Sequence, residues 1–270
     1  IGRRSRCNAR DAFMRLAPGH SGFWRITGLL PVLIPTIIAS YYSVIGGWSL
    51  EYLVKAFQGV FSSLSPEQSA GIFSGFISST WTPLVMHLLF FALCAVVVAL
   101  GVKSGIERFS KFTMPVLFVL VVFIAIYSIC LPGAWGGVEY IFKPDLSRMT
   151  PRTFAYAMGQ SFYSLSLGMG AIITYGSYVR KNENILASST GTAISDLTFA
   201  LLAALAIMPA VFAAGIEPGA GPGLIFQSIP FIFSKMSIDM PWISGVVAVM
   251  FFLTVVVAAM TSCISLIEVV

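Results

Sequence analysis

Six stretches of the chain run for about twenty residues or more with almost no charge, near 26–54, 81–102, 112–131, 154–179, 186–212 and 242–270. Each can cross a bilayer as a helix, because about 20 mostly apolar residues span the hydrocarbon. Helices of a soluble core are shorter and show one apolar stripe rather than an all-round apolar surface. The pattern therefore predicts an all-α polytopic membrane protein, one transmembrane domain over 1–270, with residues 1–25 as a cytoplasmic loop.

The fourth stretch departs from the others. Between Phe154 and Val179 it carries no Asp, Glu, Lys or Arg, yet its middle reads Ser164-Leu-Ser166-Leu-Gly168-Met-Gly170. Alternating hydroxyls and glycines favour a break, and open backbone at membrane depth is tolerated only where it lines a protein cavity. Half-helix ends meeting at mid-membrane are where secondary transporters hold ions and anionic substrate groups. Small residues that let two helices pack closely are the competing explanation. The transporter reading makes Ser164, Ser166 and Gly170 the centre of the molecule.

Only 10% of residues are charged, against about 25% in soluble domains. The net charge of +5 is informative by position. Six arginines precede the first stretch, Lys103, Arg108 and Lys111 lie between the second and third, and Arg180 and Lys181 follow the fourth. Basic residues collect on the cytoplasmic side, so the amino end faces the cytoplasm. Beside a membrane span the arginine cluster reads as topology rather than nucleic-acid binding. Residues 1–25 also hold aromatics, which suggests a short interfacial helix. Cys7, Cys94, Cys130 and Cys263 show neither metal spacing nor a disulfide framework. The chain has no Asn-x-Ser/Thr sequon, which points to a bacterial origin in the inner membrane. It begins at Ile1 and ends inside an apolar run, so it reads as part of a longer polypeptide.

Polar residues inside the stretches are candidate chemistry. Tyr42 sits mid-span, where it faces a cavity or bonds to a neighbouring helix. His87 lies one turn into its helix and reads as an interfacial structural residue, and His20 has no acidic neighbours. The absence of a His-carboxylate constellation argues against an intramembrane enzyme. Asp196 is a lone carboxylate with no Lys or Arg in its segment. Placing it there costs about 2.5–3.5 kcal/mol on insertion scales, so it needs a partner. A cation from solution, a proton, or hydration near the inner surface would each serve. Thr261, Ser265 and Glu268 share a helix face beside Ser262, an oxygen-rich group suited to Na⁺, although such hydroxyls also bond back to their own helix.

Together these residues resemble the neurotransmitter:sodium symporter family, whose fold is that of the bacterial leucine transporter. The match is strongest at GQSFYSLSLGMGAIITYGSYVRK (159–181), and good at IIASYYSVIGGW (37–48), SGIERFSKFTMP (104–115) and AAMTSCIS (258–265). The resemblance implies an incomplete inverted-repeat fold, with the six stretches standing for the family's third through eighth helices and the fourth one broken. It implies a substrate pocket built from Ile38, Tyr42, Tyr163, Ser164, Ser166, Met169, Gly170, Ser262 and Leu266. In that reading Tyr42 binds the substrate carboxylate, Tyr163 and Gln160 gate the outer side, and Tyr178 the inner. Two sodium sites are implied, one using Ser164 and Asp196 (or Ser195, if the register slips by one), the other using Ala258, Thr261 and Ser262. The carboxylate of Asp196 makes chloride dispensable.

The expected function is sodium-coupled symport of an amino acid by alternating access. Met169, where the bacterial leucine transporter has Phe, gives a roomier pocket and favours large hydrophobic or aromatic substrates. A proton-coupled permease of the same fold, with Asp196 carrying the proton, is the alternative, and so is a truncated chain without transport activity. Sodium, an amino acid and the lipid bilayer are the expected partners.

Overall fold

The computed structural model describes residues 1–17, 22–62, 64–100, 103–143, 145–180, 182–219 and 221–269, with backbone alone at Arg25, 103–110, Arg148 and Pro222. His20, Pro18-Gly19 and Lys181 lie outside the described residues, as do the side chains of Lys103 and Arg108. Every regular element among the described residues is helical. Three short helices open the chain: α1 (Gly2–Ser5), α2 (Ala9–Leu16) and α3 (Gly22–Thr27). They are followed by α4 (Leu30–Phe57), α5 (Pro66–Ser78), α6 (Trp81–Ala99), α7 (Lys103–Ile129) and α8 (Trp135–Phe142). Then come α9 (Pro151–Ser164), α10 (Ala171–Tyr178), α11 (Ile185–Ala214), α12 (Leu224–Asp239) and α13 (Pro241–Val269).

Five helices, α4, α6, α7, α11 and α13, are long and apolar enough to cross a membrane among the described residues. The sixth expected span is the pair α9 and α10, interrupted where the serines and glycines predicted it. Boundaries shift in detail. α4 begins at Leu30, Ile26 belonging to the short α3, and α7 is already helical at Lys103 although its apolar part runs from Lys111 to Ile129. Charged residues flank a membrane helix without ending it, so hydropathy alone marks the apolar part and misses the extension.

The segments between the apolar stretches contain helices α5, α8 and α12. α5 starts with a capping box, in which the Ser65 hydroxyl accepts from the Gln68 amide and the Gln68 side chain accepts from the Ser65 amide, with Pro66 in the first turn. α9 starts the same way on Thr150, Pro151 and Thr153. α12 tolerates Pro230 in its interior and is the most buried helix for its length.

The chain divides into two compact units, one of residues 1–42, 145–197 and 262–270, the other of 43–144 and 198–261. In the second unit an aromatic cluster packs α4, α5, α12 and α13. Tyr52 lies 5.0 Å from Phe226 and 5.4 Å from Phe252, centre to centre, and Phe73 stacks on Phe226 at 5.8 Å. Such ring pairs contribute about 0.5–1.5 kcal/mol each beyond their buried area. Hydroxyls fasten the same elements: Ser69 donates to the Gln227 carbonyl at 2.6 Å, and Ser234 to the Leu64 carbonyl at 2.8 Å. α4 meets α6 through Gly47, whose position leaves no room for a Cβ beside the His87 backbone. The His87 Nδ1 is buried with no hydrogen-bond partner among the described residues.

The first unit is built on α10. Ala9, Ala171 and Val269 form one buried cluster, with Ile173 against it. Ala39, Met169 and Leu266 form another, flanked by Ile38 and Tyr42. α1 lies along α10: the Arg6 guanidinium donates to the Ser177 carbonyl at 3.0 Å and that of Arg3 to the Glu183 carbonyl at 2.9 Å.

Candidate functional site at the broken helix

The break is a short run of left-handed backbone. Helix α9 closes with the Leu167 amide bonded to the Phe162 carbonyl at 2.8 Å, one residue wider than α-helical spacing. The chain then takes positive φ at Ser166 (54°), Gly168 (81°) and Gly170 (77°) before α10 starts. Left-handed backbone costs an L-residue about 1–2 kcal/mol and costs glycine almost nothing. Two of the three positions are glycine, so the sequence accepts the break cheaply. Gly170 has a second constraint, because a Cβ there would stand 2.8 Å from the Pro31 carbonyl and 3.0 Å from the Ala9 Cβ.

Within the first unit the break opens onto a cavity of about 1310 Å³. Of the residues expected to hold substrate, Ile38, Tyr42, Tyr163, Ser164, Ser166, Met169, Ser262 and Leu266 all line it. Asp196 and Tyr178 line it as well. Gln160 and Gly170 do not, Gly170 being packed against Pro31 and Ala9. Met169 is buried at 6% exposure against Ala39 and Leu266, which places its thioether in the apolar wall.

At the end of α9 the Ser164 hydroxyl meets the Asp196 carboxylate, 2.7 Å from one oxygen and 2.8 Å from the other. The lone carboxylate of α11 therefore has a partner, and the partner is an oxygen at the break. An all-oxygen donor set with a formal negative charge suits a hard cation. Asp196 lines the cavity, whereas Ser195 does not. Below Asp196 the same cavity face of α11 carries Ser188, Ser189 and Thr192, and beyond them the lining reaches Arg180, Glu183 and Arg3. The spacing of 188, 192 and 196 on a helix of few charges was the signal for this hydroxyl row.

The other expected ion ligands are divided between the units. Ala258 and Thr261 belong to the second, where the Thr261 hydroxyl donates to the Ala258 carbonyl at 2.9 Å. That is a bond back along the helix to i−3, one of the two uses foreseen for such a hydroxyl. Ser262 belongs to the first unit and lines the cavity. A contact not foreseen also appears: Tyr175 on α10 donates to the Ser265 hydroxyl on α13 at 2.7 Å. Its partner lies ninety residues away in the chain, so the contact leaves no mark in the local pattern.

The family model described as the sodium:neurotransmitter symporter family matches residues 74–270. An uncharacterized sodium-dependent transporter of Bacillus subtilis is 38% identical over the whole chain, which covers 58% of that relative. A sodium-dependent transporter of Haemophilus influenzae is 35% identical, again over the whole chain and 60% of the relative. The crystal structure of MhsT in complex with L-phenylalanine superposes with a TM-score of 0.91 at 41% identity, covering 99% of this chain and 59% of that one. The chain thus spans less than two thirds of the length of these relatives. Its fold is the all-α, leucine-transporter-like one expected, and it is a multi-pass membrane protein. With almost three quarters of its length matched by one family model, the chain belongs to the sodium:neurotransmitter symporter family.

Proposed function

We propose that the protein is a sodium-coupled amino-acid symporter whose ion and substrate meet at the break between α9 and α10. The observation that carries this reading is the Ser164 hydroxyl held on the Asp196 carboxylate at the cavity wall. Sodium is a co-transported substrate here. It enters between these oxygens, and its charge completes a site for an amino-acid carboxylate that the Tyr42 hydroxyl also binds. Asp196 supplies the fixed negative charge, so chloride is not needed. Ala258, Thr261 and Ser262 provide a second sodium site, which makes two in the full-length protein.

The side-chain pocket takes large hydrophobic or aromatic amino acids. Support comes from the buried group of Ala39, Met169 and Leu266 with Ile38 and Tyr42 beside it, and from the L-phenylalanine held by MhsT. Tyr163, half exposed above Ser164, closes the outer side with Gln160, and Tyr178 closes the inner. A ligand shifts a conformational balance only by its differential affinity for the two states. Sodium therefore favours the outward-open form, and substrate then closes the outer gate. Residues 1–25 lie on the cytoplasmic side.

The test is equilibrium binding of radiolabelled Trp, Phe and Leu to the full-length protein in sodium and in choline buffer. Saturable binding that needs sodium and is lost in Asp196→Ala is the expected result. Binding indifferent to sodium but dependent on pH would replace it with a proton-coupled permease in which Asp196 carries the proton.

A further inference from the structure

We propose that Tyr175 and Ser265 form a latch that holds the half-helix α10 against α13, and that its release opens the cavity toward the end lined by Arg3 and Arg180. The inference rests on the reading of the cavity as a transport site. Its basis is the 2.7 Å bond from the Tyr175 phenol to the Ser265 hydroxyl, made inside one compact unit by two residues that both line the cavity.

The position of the bond decides its role. Along α10 the cavity lining passes from Met169 to Tyr175, then to Tyr178 and Arg180. On α13, Ser265 is next to Leu266, which packs on Met169. The bond therefore lies just beyond the apolar substrate wall, on the side where the lining becomes basic. Met169 and Leu266 touch through flexible apolar side chains that can slide. A phenol and a serine hydroxyl at 2.7 Å hold a single register, and α10 cannot swing from α13 while the bond exists.

The strength also suits a latch. A neutral hydrogen bond has a net effect of about 1 kcal/mol, or roughly fivefold in an equilibrium. That biases the closed form and still lets thermal motion break the bond in every cycle. On its other side α10 carries α1, through Arg6 on the Ser177 carbonyl. α1 would travel with α10, whereas α13 would stay behind. Ser262 stands one turn before Ser265 on the same helix, so an ion held there stiffens the segment that receives the latch.

The test is a cysteine-accessibility measurement on the full-length protein in a cysteine-free background, with Ser189→Cys, on the stretch of α11 that lines the cavity, as reporter. In sodium without substrate, Tyr175→Phe is expected to raise the alkylation rate of the reporter about fivefold. Ser265→Ala is expected to give the same rise, and the double variant no further rise. Loss of packing alone would lower thermal stability without this non-additive change. Unchanged alkylation in both variants, or rises that multiply, would overturn the latch while sodium-dependent Phe binding by the parent protein stands. Absence of that binding in the parent would overturn the latch together with the transport reading.

Discussion

The Ser164 hydroxyl shares its proton between both oxygens of Asp196, at 2.7 and 2.8 Å, across thirty-two residues of chain. The pair joins the end of α9 to the middle of α11. It gives a polar partner to a carboxylate in a segment with no basic residue, where membrane insertion of such a group costs about 2.5–3.5 kcal/mol. What remains uncompensated is the negative charge, and a cation from solution can supply that.

Replacing Asp196 by Asn keeps a side-chain oxygen at the proposed sodium site and removes the fixed charge. Sodium affinity is expected to fall tenfold or more, a loss of about 1.4 kcal/mol, and substrate binding is expected to become chloride-stimulated. Asp196→Ala is expected to abolish binding. Sodium titrations in chloride and in gluconate distinguish these outcomes. Stimulation of the parent protein by chloride would show that the carboxylate does not replace the anion.

Met169 lines the cavity with Ala39 and Leu266 packed against it, and in the proposed transporter its shape would set the size of the substrate. Met169→Phe inserts a rigid ring beside Ala39 and Leu266, and overpacking of that kind costs about 1–3 kcal/mol. Leu binding is expected to survive, and Trp binding to weaken roughly tenfold. Competition of both amino acids against labelled Leu measures the ratio. Equal losses for the two would place Met169 outside the pocket.

The break was legible because Ser164, Ser166, Gly168 and Gly170 carry their preference in their own chemistry, without reference to neighbours. Asp196 stood out for a similar reason, as a charge in an apolar run. Its pairing with Ser164, and the gathering of Ile38, Tyr42, Met169 and Leu266 around one cavity, depend on contacts between distant segments and were reached through the family resemblance. α5, α8 and α12 were not legible. They are too short or too interrupted to stand out in hydropathy, and their prolines and glycines resemble loop punctuation. Pro66 in fact opens a helix, and Pro230 is absorbed within one. The bond of Tyr175 to Ser265 was not legible either, because it is set by tertiary packing alone.

Gly168 and Gly170 separate backbone strain from steric crowding. Both have φ near 80°, but a Cβ at Gly168 meets nothing within 4 Å, whereas at Gly170 it meets Pro31 and Ala9. Gly168→Ala is expected to cost only the left-handed penalty of about 1–2 kcal/mol. Gly170→Ala is expected to lower the thermal midpoint further and to reduce substrate binding, because α10 must move from its seat. Thermal denaturation of the two purified variants compares them directly. An equal effect would mean that the packing on Pro31 contributes nothing.

Gly2 lies where α1 packs against α10. A Cβ there would overlap the Ile173 carbonyl oxygen and stand 2.9 Å from the Ser177 amide nitrogen. Backbone atoms of a helix cannot yield as a side chain end can, so Gly2→Ala must lift α1 from α10. The bonds from Arg6 to the Ser177 carbonyl and from Arg3 to the Glu183 carbonyl would then be lost. Freed arginines are trypsin sites, so cleavage in this segment of the full-length protein is expected to speed up severalfold. Gly22→Ala is the control, since nothing lies within 4 Å of its Cβ position, and cleavage should stay at the parent rate. Equal cleavage of Gly2→Ala and Gly22→Ala would show that α1 is not held by this contact.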